Sequence, residues 1–178
     1  MTEIEVPLEK VQEHINEHAL HESQNKFVGQ IALFSAILAV LAAICALMAG
    51  QHANESMILH IKSSDTWSHF QAKSIKASVL QSKIDFLKEM GKSNEKDLAK
   101  IEEYKTEQEE LSHKAKEYEA EAAHHLETHE KLARAVTLFQ VSIAIAAITV
   151  LTKRRRYFYV SLAFSIIGLL SFLHALIK

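Results

Sequence analysis

The sequence predicts an all-α membrane protein: three transmembrane helices, a long antiparallel coiled-coil hairpin between the first and second, and a short amphipathic helix at the N-terminus. Three observations predict it. Uncharged apolar runs occupy residues 27–50, 135–152 and 157–177, each near the ~20 residues that cross a bilayer as helix. Between the first two runs lies a charged segment, 51–134, whose second half carries a sustained 3-4 apolar spacing. The 178 residues include only one Pro and four Gly, the main interrupters of helices. The mean hydropathy of −0.01 averages over these unlike blocks.

Residues 1–26 read as a cytoplasmic helix starting at Pro7, with Leu8, Val11, Ile15 and Ala19 on one face. Its carboxylates (Glu3, Glu5, Glu9, Glu13, Glu17, Glu22) would be repelled by anionic lipid, so packing between subunits or docking of another protein suits it better. They also replace the basic start of a secretory leader, so the first span is expected to stay attached. Cys45 is the only cysteine, which excludes an intramolecular disulfide and leaves a buried thiol.

Within the first span, Gly29, Ala36, Ala43 and Gly50 alternate with Ala32, Ala39 and Ala46. Small residues at heptad spacing let membrane helices approach closely. The stripe serves packing against the second span or self-association about an axis. An axis lined by Thr137 and Gln140 would be a passive pore, the competing function.

Residues 51–134 are expected to form the extracytoplasmic hairpin. Ile101, Gln108, Ala115, Ala122, His129 and Val136 make one seam row, and Tyr104, Leu111, Tyr118, His125, Leu132 and Phe139 the other. The turn signal is 91–94, where Ser93 or Asn94 can cap the following helix. Folding there pairs Leu87 with Leu98, Ile84 with Ile101, Phe70 with Ala115, and Trp67 with Tyr118. Arms of this length would reach roughly 60 Å.

The link 153–156, Lys-Arg-Arg-Arg, is costly to translocate and belongs on the cytoplasmic side, as a topology anchor touching anionic lipid and not as a nucleic-acid site. The N-terminus is then cytoplasmic, and the hairpin and C-terminus are periplasmic in a bacterial inner membrane. Tyr157, Phe158 and Tyr159 follow at headgroup level.

The stretch Ser63–Lys76 is too polar for an ordinary two-helix seam. Ser64, Trp67, Phe70, Gln71 and Ser74 suit a subunit or partner interface, with aromatic anchors and small residues between them. At these residues the chain resembles a bacterial membrane-protein family of unknown function, domain of unknown function 4337. The likeness rests on Gln51-His52-Ala53-Asn54-Glu55-Ser56-Met57, Ile61-Lys62, Ser64-Asp65, Trp67 and Phe70-Gln71-Ala72-Lys73-Ser74-Ile75-Lys76, then on His124-His125-Leu126, His129-Glu130 and residues 132–140. Phe70 stands where tyrosine is expected. The resemblance implies the three-span architecture and no chemistry.

Among eleven histidines, His125 and His129 lie one turn apart with Glu121 a turn before, and hairpin pairing would bring His60 level with them. That set could hold a divalent metal, the one cofactor the sequence suggests. Asp65, Ser68 and His69 are too close along one helix to converge as a catalytic triad, and no phosphate-cradling glycine loop or intramembrane Asp, Glu, Lys or Arg is present. No enzymatic activity is expected. The expected function is a homo-oligomeric membrane scaffold or partner-binding protein, lipid-embedded and without nucleic acid.

Overall fold

The computed structural model describes residues 26–92 and 95–177. The helix expected over residues 1–26 lies, up to residue 25, outside them, as do the Ser93 or Asn94 cap and Lys178. Among the described residues the protein is all helix: α1 (Lys26–Glu89), α2 (Glu95–Thr152) and α3 (Arg155–Leu176). All three are long and apolar enough to cross a membrane. The chain divides into one unit of residues 1–52 and 127–178 and a second of residues 53–126.

The first unit holds the three apolar segments. On α1 its buried positions are Val28, Ile31, Ser35, Leu38, Ala42, Cys45 and Ala49, an unbroken 3-4 recurrence that keeps one stripe on one side of a helix. Val28 and Ile31 pack with Ala146 and Val150 at one end. Leu38, Ala42 and Cys45 meet Ala135, Phe139 and Ile143, and Ala49 meets Leu132 at the other end. Rising numbers on α1 thus meet falling numbers on α2. Leu33, Ile37, Val40, Ile44 and Leu47 point outward, as side chains facing hydrocarbon would.

The third helix fastens by small residues. Its buried positions are Ser161, Ser165, Gly168 and Ala175. Ser142 Oγ donates to the Ser161 carbonyl at 2.7 Å, and Ser161 Oγ donates to the Ser142 carbonyl at 2.7 Å. Reciprocal bonds of this kind need near-touching backbones, because a hydroxyl on one carbon reaches barely beyond its own helix. Two turns further, a Cβ at Gly168 would stand 3.0 Å from the Phe139 ring and 3.2 Å from Leu138 Cβ. Phe139 is fully buried, so the ring has nowhere to go. Phe158, half-buried, joins α3 to α1, edge-on to Phe27 at 5.9 Å and Phe34 at 5.5 Å.

The basic link is shorter than expected. Only Lys153 and Arg154 separate α2 from α3, while Arg155 and Arg156 open α3. So abrupt a reversal needs a left-handed residue, and Lys153 supplies it at φ 55°, at a cost of about 1–2 kcal/mol for a side chain with Cβ.

In the second unit, Ser56, Leu59, Ser63, Thr66, Phe70, Lys73, Ala77, Leu80, Ile84 and Leu87 of α1 are covered or half-covered, again at 3-4 spacing, with Ala53, Trp67 and Ser74 half-covered beside them. On α2 every predicted seam residue of this unit, from Ile101 to His125, is buried or half-buried. Ser56 Oγ donates to the Ala122 carbonyl at 2.9 Å and Ser63 Oγ to the Ala115 carbonyl at 3.1 Å. Further along, Lys73 pairs with Glu107 at 2.5 Å and Lys83 with Asp97 at 2.7 Å. The register is displaced from the expected one: Ser63, not Phe70, stands at Ala115. The reason is room, since Ala115 is wholly buried and a serine lets the backbones close where a phenylalanine would hold them apart.

α1 ends as the sequence suggests. Gly91 takes φ +70°, its N–H reaches the Lys88 carbonyl at 3.0 Å, and the Lys92 N–H reaches the Leu87 carbonyl at 2.9 Å. This is a Schellman closure, which favours glycine at the left-handed position.

Gly168→Val should lower the stability of the purified chain by about 1–3 kcal/mol through overpacking, read by thermal unfolding in detergent. Gly50→Ala, whose added carbon meets nothing within 4 Å, should be neutral or stabilising by up to about 1 kcal/mol.

Candidate functional site

The polar stretch on α1 splits into two faces, and that resolves its composition. Ser63, Thr66, Trp67, Phe70, Lys73 and Ser74 are covered or half-covered. Ser64, Asp65, Ser68, His69, Gln71, Ala72, Ile75 and Lys76 are exposed. Trp67 and Phe70 pack edge to face with centroids 5.3 Å apart, and Trp67 Nε1 donates to Glu119 Oε1 at 2.8 Å. Ser63 Oγ reaches the same carboxylate oxygen at 3.3 Å. The tryptophan therefore finds its neighbour inside the chain, at Glu119 and not at Tyr118. The Tyr118 ring instead lies under two ammonium groups, Lys62 at 5.9 Å and Lys114 at 6.0 Å.

Of the five residues expected at an interface, Trp67, Phe70 and Ser74 are partly used by this packing, while Ser64 and Gln71 remain open. They border a feature that the sequence reading passed over. Met57, Ile61, Ser68, Ala72, Ile75, Val79 and Phe86 are all exposed and, at 100° per residue, share one side of α1. Five are large and apolar: Met57 is 62% exposed, Ile61 56%, Ile75 65%, Val79 66% and Phe86 62%. The 3-4 arithmetic that marks a seam marks this second stripe as well.

Two grooves flank the helix pair in this unit. One of about 520 Å³ lies between His69, Lys73 and Lys76 on one helix and Glu107, Glu110 and Lys114 on the other. Its mixed charges select no ligand class. Exposed pairs along α2 include Lys100 with Glu103 at 2.5 Å, and this hydrogen-bonded carboxylate raises the Lys100 pKa above its ordinary value.

The metal set is not drawn together. Among the described residues no three His, Cys, Asp or Glu side chains are grouped as one ion requires. His60 and Glu121 are exposed. His125 lies edge-on to His124, centroids 6.1 Å apart, and His129 Nδ1 is hydrogen-bonded to the Ala49 carbonyl at 2.9 Å. One-turn spacing placed the rings on one side of α2, but these neighbours engage them separately.

In the first unit, the small-residue stripe of α1 turns away from α2. Gly29, Ala43 and Gly50 are exposed and Ala36 is half-covered; added carbons at Gly29 and Gly50 would meet nothing within 4 Å. Thr137 is exposed with its hydroxyl returned to the Ala133 carbonyl at 3.0 Å, and Gln140 is half-buried.

Ser63→Leu should destabilise the chain by about 1–3 kcal/mol, because it forces bulk between closely approaching backbones. Ser64→Leu, one residue on and exposed, should change stability by no more than about 0.5 kcal/mol. Thermal unfolding of both variants measures the contrast.

Neither among curated proteins nor among solved structures does any match the chain. The model of one family matches residues 27–178, which take in all three helices except Lys26. The chain belongs to that family, described as a domain of unknown function, DUF4337.

Proposed function

We propose that the protein is a homo-oligomeric scaffold of the bacterial inner membrane. Its extracytoplasmic part is an antiparallel coiled-coil hairpin that associates with other copies or with a partner protein. The N-terminus is cytoplasmic in this reading, since the Lys153–Arg156 cluster resists translocation; the hairpin and C-terminus are then periplasmic. The chain works by presenting surface and carries out no catalysis.

The observation that carries the reading is the exposed apolar stripe on α1, Met57, Ile61, Ile75, Val79 and Phe86. It lies in the charged, extramembrane part of the sequence, where hydrocarbon cannot cover it. Large apolar side chains exposed along one side of a helix outside lipid mark an interaction face, and their common side suits another helix. The outward stripe Gly29, Ala36, Ala43 and Gly50 supports the same reading within the bilayer, where small residues favour helix association. Ser64 and Gln71 border the stripe as hydrogen-bonding groups, in keeping with a polar rim.

The test is a subunit count on the full chain in lipid nanodiscs. The wild type should be oligomeric, and Ile75→Glu with Val79→Glu should reduce it to single chains while its helical circular dichroism is retained. A wild type that stays monomeric at every concentration, or a double variant with the wild-type count, would reject the proposal.

A further inference from the structure

Residues 23–54 and 131–178 contain no Asp or Glu, yet the second range holds Lys153, Arg154, Arg155 and Arg156 in sequence. Beside this cluster the first unit has a cavity of about 180 Å³. It is lined by Phe27, Val28 and Ile31 of α1, by Thr149 and Val150 of α2, and by Lys153 and Arg155, which bring two cationic groups to its rim. Two cationic groups beside a small cleft, at the end of helices apolar enough to cross lipid, put positive charge where headgroup phosphates lie.

The rim is organised. The Arg155 guanidinium lies over the Phe27 ring at 5.1 Å. Stacking holds that group by its flat side, and its N–H donors lie along the edge, in the plane that binds two phosphate oxygens at once. Lys153 is held at the rim by its left-handed backbone, φ 55°, a conformation natural to glycine and uncommon for lysine. Backbone strain of this kind gathers at functional positions. The cavity is smaller than the roughly 300 Å³ at which small-molecule pockets begin; it suits a headgroup phosphate whose acyl chains continue into the bilayer along α1 and α2.

We propose that this cavity binds the phosphate of an anionic phospholipid, with Arg155 and Lys153 as its charged contacts and the acyl chains running outside the buried Val28, Ile31 and Val150 cluster. The site rests on the membrane reading of this unit and is independent of the role given to the extramembrane stripe.

Native mass spectrometry of the full chain, released from detergent with equal phosphatidylglycerol and phosphatidylcholine, tests it. Phosphatidylglycerol should be retained preferentially. Arg155→Gln and Lys153→Gly should each weaken retention about fivefold, and the pair about 25-fold. Glycine fits the left-handed link, so an unchanged melting temperature in Lys153→Gly shows that lost charge and not lost fold is responsible. Equal retention of the two lipids, or an undiminished preference in the double variant, overturns the proposal. Displacement of phosphatidylglycerol by inorganic phosphate at matched concentration overturns the lipid assignment in favour of free phosphate. Failure of the wild type to float with vesicles of either lipid would overturn the membrane reading itself.

Discussion

Everything in this structure depends on how closely two helix backbones can approach. In the second unit two layers are tied by hydrogen bonds, Ser56 with the Ala122 carbonyl and Ser63 with the Ala115 carbonyl, seven residues apart on each helix. Small side chains allow the approach, and the serine hydroxyl converts it into a hydrogen bond to the facing backbone. Each such bond contributes only about 0.5–1.5 kcal/mol. Their larger effect is on register, because sliding the helices by one heptad would bring Phe70 to a position with no space for a ring. The apolar residues between and beyond the layers, Leu59, Ala77, Leu80, Ile84 and Leu87, supply burial but could be satisfied in more than one alignment.

The same device recurs where α2 meets α3, in segments apolar enough to cross a membrane, for which a different physical regime applies. Inside hydrocarbon there is no gain from hiding one apolar side chain against another instead of against lipid. Contact must come from close packing and from hydroxyls that would otherwise face an apolar solvent. Ser142 and Ser161 exchange bonds with each other's carbonyls, and Gly168 leaves the hollow that Phe139 fills. Here hydroxyl pairing and ring-in-hollow packing do the work that the hydrophobic effect does in water.

Much of this architecture could be read from residue order. The three apolar runs coincide with apolar helix segments, Gly91 ends α1 in the left-handed turn anticipated for it, and the two predicted seam rows of α2 are covered along their length. The matching seam on α1 is legible only in part: Phe70, Ile84 and Leu87 are expected toward α2, while Ser56, Ser63, Thr66 and Lys73 are residue types that a search for apolar periodicity discards. The register failed for the same reason: a symmetric fold about the turn favoured large apolar pairs, and the serine layers that decide it looked like surface. The small-residue stripe was visible, but nothing in its spacing said which way it would face; bulky Val28, Ile31 and Leu38 took the side toward α2. The histidine set shows the limit of spacing arguments, since one-turn separation aligns rings on a face without saying what each ring will bond.

The central claim is the serine–alanine register between α1 and α2, and cysteine cross-linking of the full chain tests it most directly. With Cys45→Ala as background, Ser63→Cys combined with Ala115→Cys should form an intramolecular disulfide under mild oxidation. Phe70→Cys combined with Ala115→Cys should stay reduced. Efficient bridging of the second pair with none in the first would contradict the register, and with it the account of how the two helices are held.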